Sequence, residues 1–157
     1  MVDHPAFNVA IFALLLSLPW EFGQMWLYAG ALEMSHLRGV QICMAATLGD
    51  AVIMLIAFGI VAAVARSQGW VRAPMTSQVA SFVLIGLVIT IAIEIIATRA
   101  NGIFSWRYAP AMPVTPFLGI GLAPMLVWQV VPILVLWSVR RQIGPASVTA
   151  DWRAGNG

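Results

Sequence analysis

The sequence contains no lysine and only 9% charged residues, whereas a soluble globular domain has about a quarter. With 61% of its 157 residues hydrophobic, the chain cannot cover a water-facing surface with polar groups. Its eight basic residues are all arginines, and they lie at the ends of apolar runs rather than on one basic face or arm. The scarcity of charge excludes a soluble protein, and the scattered arginines argue against nucleic acid as a partner.

Cysteine and histidine are also scarce, which limits redox and metal chemistry. Cys43 is the only cysteine, so no internal disulfide can form, and a cysteine metal site would need more ligands. Its position within an apolar run is typical of a small hydrophobic residue. His4 lies near the terminus, and His36 lies in a short polar stretch with Glu33 and Arg38. We therefore expect no metal and no cofactor.

The sequence does have four long apolar runs, at residues 6–29, 39–65, 78–98 and 117–139. A helix needs about 20 residues to cross the hydrocarbon core of a bilayer, and each run is long enough. The first run is interpreted as a retained helix rather than a signal peptide, because it contains Glu21 and no basic residue precedes it. The pattern predicts an all-α transmembrane bundle of four helices over residues 1–141, followed by a disordered tail over residues 142–157.

The arginines predict the orientation of this bundle. With four helices, both termini share a side with five arginines, and the opposite side has three. Basic residues are more frequent in cytoplasmic loops than in exported ones. We therefore expect a multi-pass protein of the inner membrane with both termini in the cytoplasm.

Polar residues recur at spacings of three and four within the apolar runs, which places them on one face of each helix. These faces comprise Ser17, Glu21, Gln24 and Tyr28 in the first helix, Cys43, Thr47, Asp50 and Met54 in the second, Thr90, Glu94 and Thr98 in the third, and Gly121, Met125 and Gln129 in the fourth. A charged group facing lipid is strongly disfavoured, so these faces should point inward. We predict that Glu21, Asp50, Glu94 and Gln129 meet in one polar cluster in the outer half of the bundle.

Three carboxyl groups in one apolar volume cannot all ionise at low cost. Two like charges about 5 Å apart repel by around 3 kcal/mol at an effective dielectric of about 20. Arg99 can reach Glu94 from the same helix end, so Glu94 is expected to ionise and Asp50 to keep its proton. A neutral carboxylic acid in an apolar site is a proton donor. A purely structural role stays open, in which the acids pair with loop arginines and Gln24 joins helices by hydrogen bonds.

An aromatic and proline-rich loop over residues 100–116 separates the last two runs. Pro110, Pro113 and Pro116 exclude a regular helix there. Non-helical backbone must stay at the membrane interface or be covered by protein. A lid over the polar cluster, with Trp106 and Tyr108 lining it, satisfies that condition. Ordinary aromatic residues of the membrane interface are the alternative.

The chain contains a recognisable order of residues that resembles known membrane proteins. An acid is followed by W-x-Y, then by prolines, G-I-G-L-x-P and W-Q. The resemblance is carried by Glu94, Trp106, Tyr108, Pro113, Pro116, Gly119, Pro124 and Trp128, with a weaker match at Trp20-Glu21-Phe22. The pattern resembles small multi-pass bacterial membrane proteins of unassigned function and, more distantly, membrane carotenoid hydratases and lycopene-cyclase-type isoprenoid cyclases. That resemblance implies a helical bundle whose buried acids protonate an alkene of a long isoprenoid.

These observations lead to two hypotheses about function. In the first, Glu94 or Asp50 donates a proton to a lipid-soluble substrate and Glu21 stabilises the positive charge that develops. The residues expected to bind the substrate are Trp106, Tyr108, Gln24, Tyr28, Gln129 and Arg99. In the second, the protein is a proton-linked carrier or an accessory subunit of a membrane complex. Membrane lipids are expected partners in both, and a homo-oligomer is compatible with both.

Overall fold

The computed structural model describes residues 4–100 and 105–144. The described chain forms four α-helices: α1 Pro5–Gln24, α2 His36–Ala65, α3 Thr76–Arg99 and α4 Leu122–Ile143. Short 3-10 turns follow α1 at Met25–Leu27 and α2 at Gln68–Arg72. No strand forms among these residues, apart from two isolated bridges. The predicted all-α bundle of four helices is confirmed, and all four helices are long and apolar enough to cross a membrane.

The helices form an antiparallel ring in sequence order. α1 packs against α2 and α4, and α3 packs against the same two helices. This is the up-and-down arrangement that short connections between neighbouring helices favour. The α1–α2 and α3–α4 connections share one end of the ring, which we call the loop end. The chain start, the α2–α3 connection and the end of α4 share the other, which we call the basic end.

The helix boundaries follow local capping. α2 begins after Ser35, whose side chain accepts a hydrogen bond from the backbone of Arg38 at 3.4 Å. It ends at Arg66, which adopts the left-handed conformation with φ 51° and closes the last turn. The Gln78 side chain accepts a hydrogen bond from the backbone of Met75 at 2.8 Å, at the start of α3.

The fourth helix differs from its predicted bounds at both ends. It begins at Leu122 rather than near residue 117, because the chain folds back on itself first: Val114 pairs with Gly121, and the backbone of Leu122 donates to the Pro113 carbonyl at 2.8 Å. At the other end the helix continues to Ile143, past the predicted limit at residue 141. Most of the predicted disordered tail, residues 145–157, lies outside the described residues.

The interior of the bundle is divided along its length. The half toward the basic end is apolar except for Asn8, and there Trp70 stacks on Phe58 with ring centroids 5.8 Å apart and meets Phe82 at 5.9 Å. The half toward the loop end contains most of the buried polar residues: Ser17, Glu21, Gln24, Thr47, Thr90 and Glu94. This division places the candidate site at one end of the bundle.

The outward faces of all four helices are apolar. Large exposed hydrophobic residues include Leu15 on α1, Val52 and Val64 on α2, Val88 and Ile96 on α3, and Ile133 on α4. Exposed hydrophobic surface on every side is unfavourable in water and is what a bilayer requires. The chain is therefore an integral membrane protein.

Candidate functional site

The three acids of the apolar runs lie on three different helices. Glu21 is in the last turn of α1, Glu94 is near the end of α3, and Asp50 is in the loop-end half of α2. Glu21 and Glu94 are buried, with 8% and 4% of their surface exposed, and Asp50 is half-buried. The structure places the three acids on neighbouring helices. Their convergence in one polar cluster stays a prediction.

Glu94 is held by the aromatic loop. The Tyr108 hydroxyl donates a hydrogen bond to Oε2 of Glu94, and the Trp106 indole N–H donates to the same oxygen at 3.1 Å. The carboxyl of Glu94 therefore joins the α3–α4 loop to the end of α3. The role of this loop as a lid stays a prediction.

The expected pairing of Glu94 with Arg99 is wrong. Arg99 is exposed, and no ion pair joins the two side chains in the described part of the chain. Arg99 lies five residues after Glu94, which is well past one full helical turn, so the two side chains leave the helix in different directions. The buried position beside Glu94 is filled by the aromatic donors instead.

Glu21 is held within its own helix. The Gln24 amide donates to Oε1 of Glu21 at 2.7 Å, and the Trp20 indole N–H donates to Oε1 of Gln24 at 3.2 Å. Gln24 thus bonds within α1 rather than joining helices. Trp20 was not among the predicted site residues, although its position four residues before Gln24 on the same helical face was a usable signal.

Asp50 differs from the other two acids in having a carboxyl oxygen that is both buried and without a hydrogen-bond partner among the described residues. Its Oδ2 atom is buried and accepts no hydrogen bond from the described residues. The Ser17 hydroxyl lies beside Asp50 but outside hydrogen-bond geometry, and the Thr90 hydroxyl is likewise buried without a partner. Each such buried polar group costs about 1–3 kcal/mol. Three of the five buried unpartnered atoms in the described residues therefore lie on α1, α2 and α3, and the other two are the indole nitrogens of Trp70 and Trp128.

The two loops at the loop end are joined to each other by backbone hydrogen bonds. Tyr28 and Tyr108 form an antiparallel bridge: Ala29 donates to the Arg107 carbonyl and Ala109 donates to the Leu27 carbonyl, both at 2.9 Å. The tyrosine rings are 5.9 Å apart at 52°. Tyr28 was expected on the polar face of the first helix, but α1 has ended before it, and the bridge sets its position.

The two tyrosine hydroxyls remain protonated in this environment. Burial, and then the charge of Glu94, raise the pKa of Tyr28 above its usual value. Burial, and then the hydrogen bond to Glu94, raise the pKa of Tyr108. Gly121 lies close to Tyr108: an added Cβ atom there would lie 3.0 Å from the sulfur of Met112 and 3.1 Å from the tyrosine ring. Tyr108 is therefore available as a donor at any physiological pH.

Gln129 does not join the cluster, which contradicts the prediction. It is exposed, while Val127, Trp128 and Val131 are buried on the inner face of α4. Trp128 packs against Gly86 of α3, and the next residue along a helix is rotated by about 100°, which turns Gln129 outward. The polar face predicted for this helix began at Gly121, but Gly121 precedes the first residue of α4.

The described residues contain no group of three or more histidine, cysteine or acidic side chains arranged to hold a metal ion. Two cavities among the described residues lie at the basic end, far from the carboxyl groups. Comparison with protein-family models, with curated proteins and with solved structures gives no match. The function must therefore be inferred from the geometry of the site.

Proposed function

We propose that Glu21, Asp50 and Glu94 form one group, the carboxyl cluster, which carries out acid-assisted hydration or cyclisation of a lipid-soluble isoprenoid, with Asp50 as the proton donor. The observation that carries this proposal is the difference between the three acids. Glu21 and Glu94 each accept hydrogen bonds from neighbouring side chains, whereas Oδ2 of Asp50 accepts none from the described residues. A protonated Asp50 would have its acidic hydrogen available to a substrate.

The chemistry begins with transfer of the Asp50 proton to one carbon of an alkene, which leaves a carbocation on the other carbon and a carboxylate on Asp50. In hydration, water adds to the cation and returns a proton to Asp50. In cyclisation, a second double bond attacks the cation, and a neighbouring carbon then loses a proton to Asp50. Glu21 and Glu94 supply negative charge near the cation, and the rings of Trp106 and Tyr108 offer aromatic faces that attract cations.

The position of Asp50 favours a substrate that arrives from the bilayer. Asp50 is half-buried on a membrane-crossing helix. The adjacent Gly49 is exposed, and no atom of another residue lies within 4 Å of a Cβ atom built there. An apolar molecule dissolved in lipid has access to this side of α2. A water-soluble substrate would have to pass the loops that Tyr28 and Tyr108 join.

We also propose that the basic end is cytoplasmic in an inner membrane, as the arginine distribution predicts. Arg66, Arg72, Arg140 and Arg141 lie at the basic end, and Arg38, Arg99 and Arg107 lie at the loop end. The carboxyl cluster would then occupy the leaflet that faces away from the cytoplasm.

The test is a comparison of lipid extracts from cells that produce the wild-type protein, Asp50→Asn or Glu33→Gln. The first change keeps the shape of the side chain and removes the acidic proton. The second replaces an exposed carboxyl at the same end of the bundle and serves as the control. We expect the wild type and Glu33→Gln to alter the isoprenoid profile, and Asp50→Asn to reduce that alteration by about 100-fold or more.

Two results would contradict the proposal. A wild-type profile from Asp50→Asn, at equal protein level, would remove Asp50 from the mechanism. Identical profiles from wild-type cells and from cells without the protein would argue against an enzyme acting on isoprenoids and would favour the carrier or accessory-subunit hypothesis.

A further inference from the structure

We propose that the basic end contains a binding site for the headgroup of an anionic phospholipid. This site is separate from the carboxyl cluster and does not depend on the function proposed for it. The site is a cavity of about 350 Å³ lined by Arg72, Trp137, Arg140 and Arg141. Within the described residues, none of the side chains that line it is acidic.

The arginines come from two elements that pack against each other. Arg72 ends the 3-10 turn after α2, and Arg140 and Arg141 belong to the last turn of α4. A guanidinium N–H of Arg72 donates to the Ile143 carbonyl at 3.1 Å, which joins the two elements. Cations are also favoured at the C-terminal end of a helix. The arrangement of positive charge is therefore built into the fold.

Trp137 orients one of these arginines. The guanidinium carbon of Arg141 lies 4.8 Å from the centre of the Trp137 ring, which is within cation–π distance. Trp137 itself is 55% exposed on the outward face of α4. Tryptophan is enriched where hydrocarbon meets headgroups, so the ring marks the depth at which lipid phosphates lie.

An exposed apolar stripe continues from the cavity toward the middle of the membrane. Val130, Ile133 and Trp137 are all exposed and are spaced three and four residues apart, which places them on one face of α4. A phospholipid could lay an acyl chain along this stripe with its phosphate among the arginines. The arginines together with the apolar stripe favour a lipid over a free phosphate ion, because a phosphate ion gains nothing from contact with apolar side chains.

The chemistry of arginine supports an anionic headgroup. Its planar guanidinium matches phosphate oxygens with paired hydrogen bonds, and basic pockets between membrane helices on the cytoplasmic side bind such headgroups. Like charges such as those of the adjacent Arg140 and Arg141 repel each other, and an anion beside them offsets that repulsion. A zwitterionic headgroup would add its own positive charge and should bind less well.

The experiment uses the whole purified protein in a neutral detergent, with its melting temperature followed as lipid is added. The additions are phosphatidylglycerol, phosphatidylcholine and inorganic phosphate. The variant is Arg140→Gln/Arg141→Gln, and the control is Arg38→Gln, an exposed arginine at the loop end. We expect phosphatidylglycerol to raise the melting temperature of the wild type and the control more than phosphatidylcholine does, since a ligand of the folded state stabilises it. The double variant should lose at least about half of that difference.

Native mass spectrometry of the wild type provides a second measurement that needs no variant. Retention of phosphatidylglycerol in preference to phosphatidylcholine from an equal mixture would support the site. Equal retention of both lipids, or a lipid preference that the double variant keeps in full, would overturn it. A shift produced by inorganic phosphate as large as that from phosphatidylglycerol would overturn the assignment to a lipid.

Discussion

Glu94 shows how one residue connects the interior of the bundle to its loops. Its carboxyl lies inside the bundle, yet both of its side-chain donors, Trp106 and Tyr108, come from the α3–α4 loop. The Thr98 hydroxyl donates to the backbone carbonyl of Glu94 at 2.6 Å and completes its surroundings. Removing a donor from this acid should therefore affect both the loop and the stability of the bundle.

We expect Tyr108→Phe to destabilise the protein by about 1.5–3 kcal/mol, because it removes one hydrogen bond to a buried carboxyl and leaves the ring in place. The matched control is Tyr28→Phe. The hydroxyl of Tyr28 makes no hydrogen bond to the described residues, although its ring lies next to that of Tyr108. Thermal melts of both variants in detergent provide the measurement. Equal effects of the two substitutions would show that the bond to Glu94 contributes little.

At the scale of whole helices, the contact between α3 and α4 depends on one small residue. Gly86 of α3 faces the fully buried ring of Trp128 on α4, and a Cβ atom added to Gly86 would overlap that ring. Small residues allow membrane helices to approach closely, and this one lets a large ring fill the interior. The same contact sets the rotation of α4.

We expect Gly86→Ala to destabilise the bundle by about 1–3 kcal/mol, since a well-packed interior cannot admit an extra carbon without moving its neighbours. Gly59→Ala in α2 is the control, because no atom of another residue lies within 4 Å of a Cβ atom built there. That variant should melt at the wild-type temperature or above it. Unfolding in detergent, followed by circular dichroism, compares the two, and a neutral Gly86→Ala would argue against tight packing between α3 and α4.

At the scale of the whole molecule, the two ends of the bundle have different chemical character. The basic end has an apolar interior and a ring of arginines, and the loop end has the carboxyl groups under two joined loops. This polarity along the bundle axis means that the orientation in the membrane decides which leaflet each site faces.

We expect reporter fusions after Ala111 and after Gly155 to report opposite compartments, with the Gly155 fusion in the cytoplasm. The reason is the even number of spans together with the excess of arginine at the basic end. Pairs of reporters that are active only in the cytoplasm or only outside it measure this. Activity of both fusions in one compartment would contradict the four-span arrangement, and the opposite assignment would contradict the orientation.

Several features of this protein could be predicted from the sequence alone. The length and hydrophobicity of the runs determine the number of membrane-crossing helices, because lipid offers no hydrogen bonds to an unfolded backbone. The inward faces of α1, α2 and α3 were also predictable, since Glu21, Asp50 and Glu94 recur with other polar residues at helical spacing and cannot face lipid at low cost. These are local properties of the chain.

Only the tertiary structure decided the partners of those acids and the rotation of the last helix. Glu94 bonds to Trp106 and Tyr108 rather than to Arg99, because the loop folds back over α3 and pairs with the loop after α1. Gln129 faces outward because the fit of Trp128 against Gly86 fixes the inner face of α4. Both outcomes depend on contacts between residues far apart in the chain. The periodicity of a single helix contains no information about such contacts.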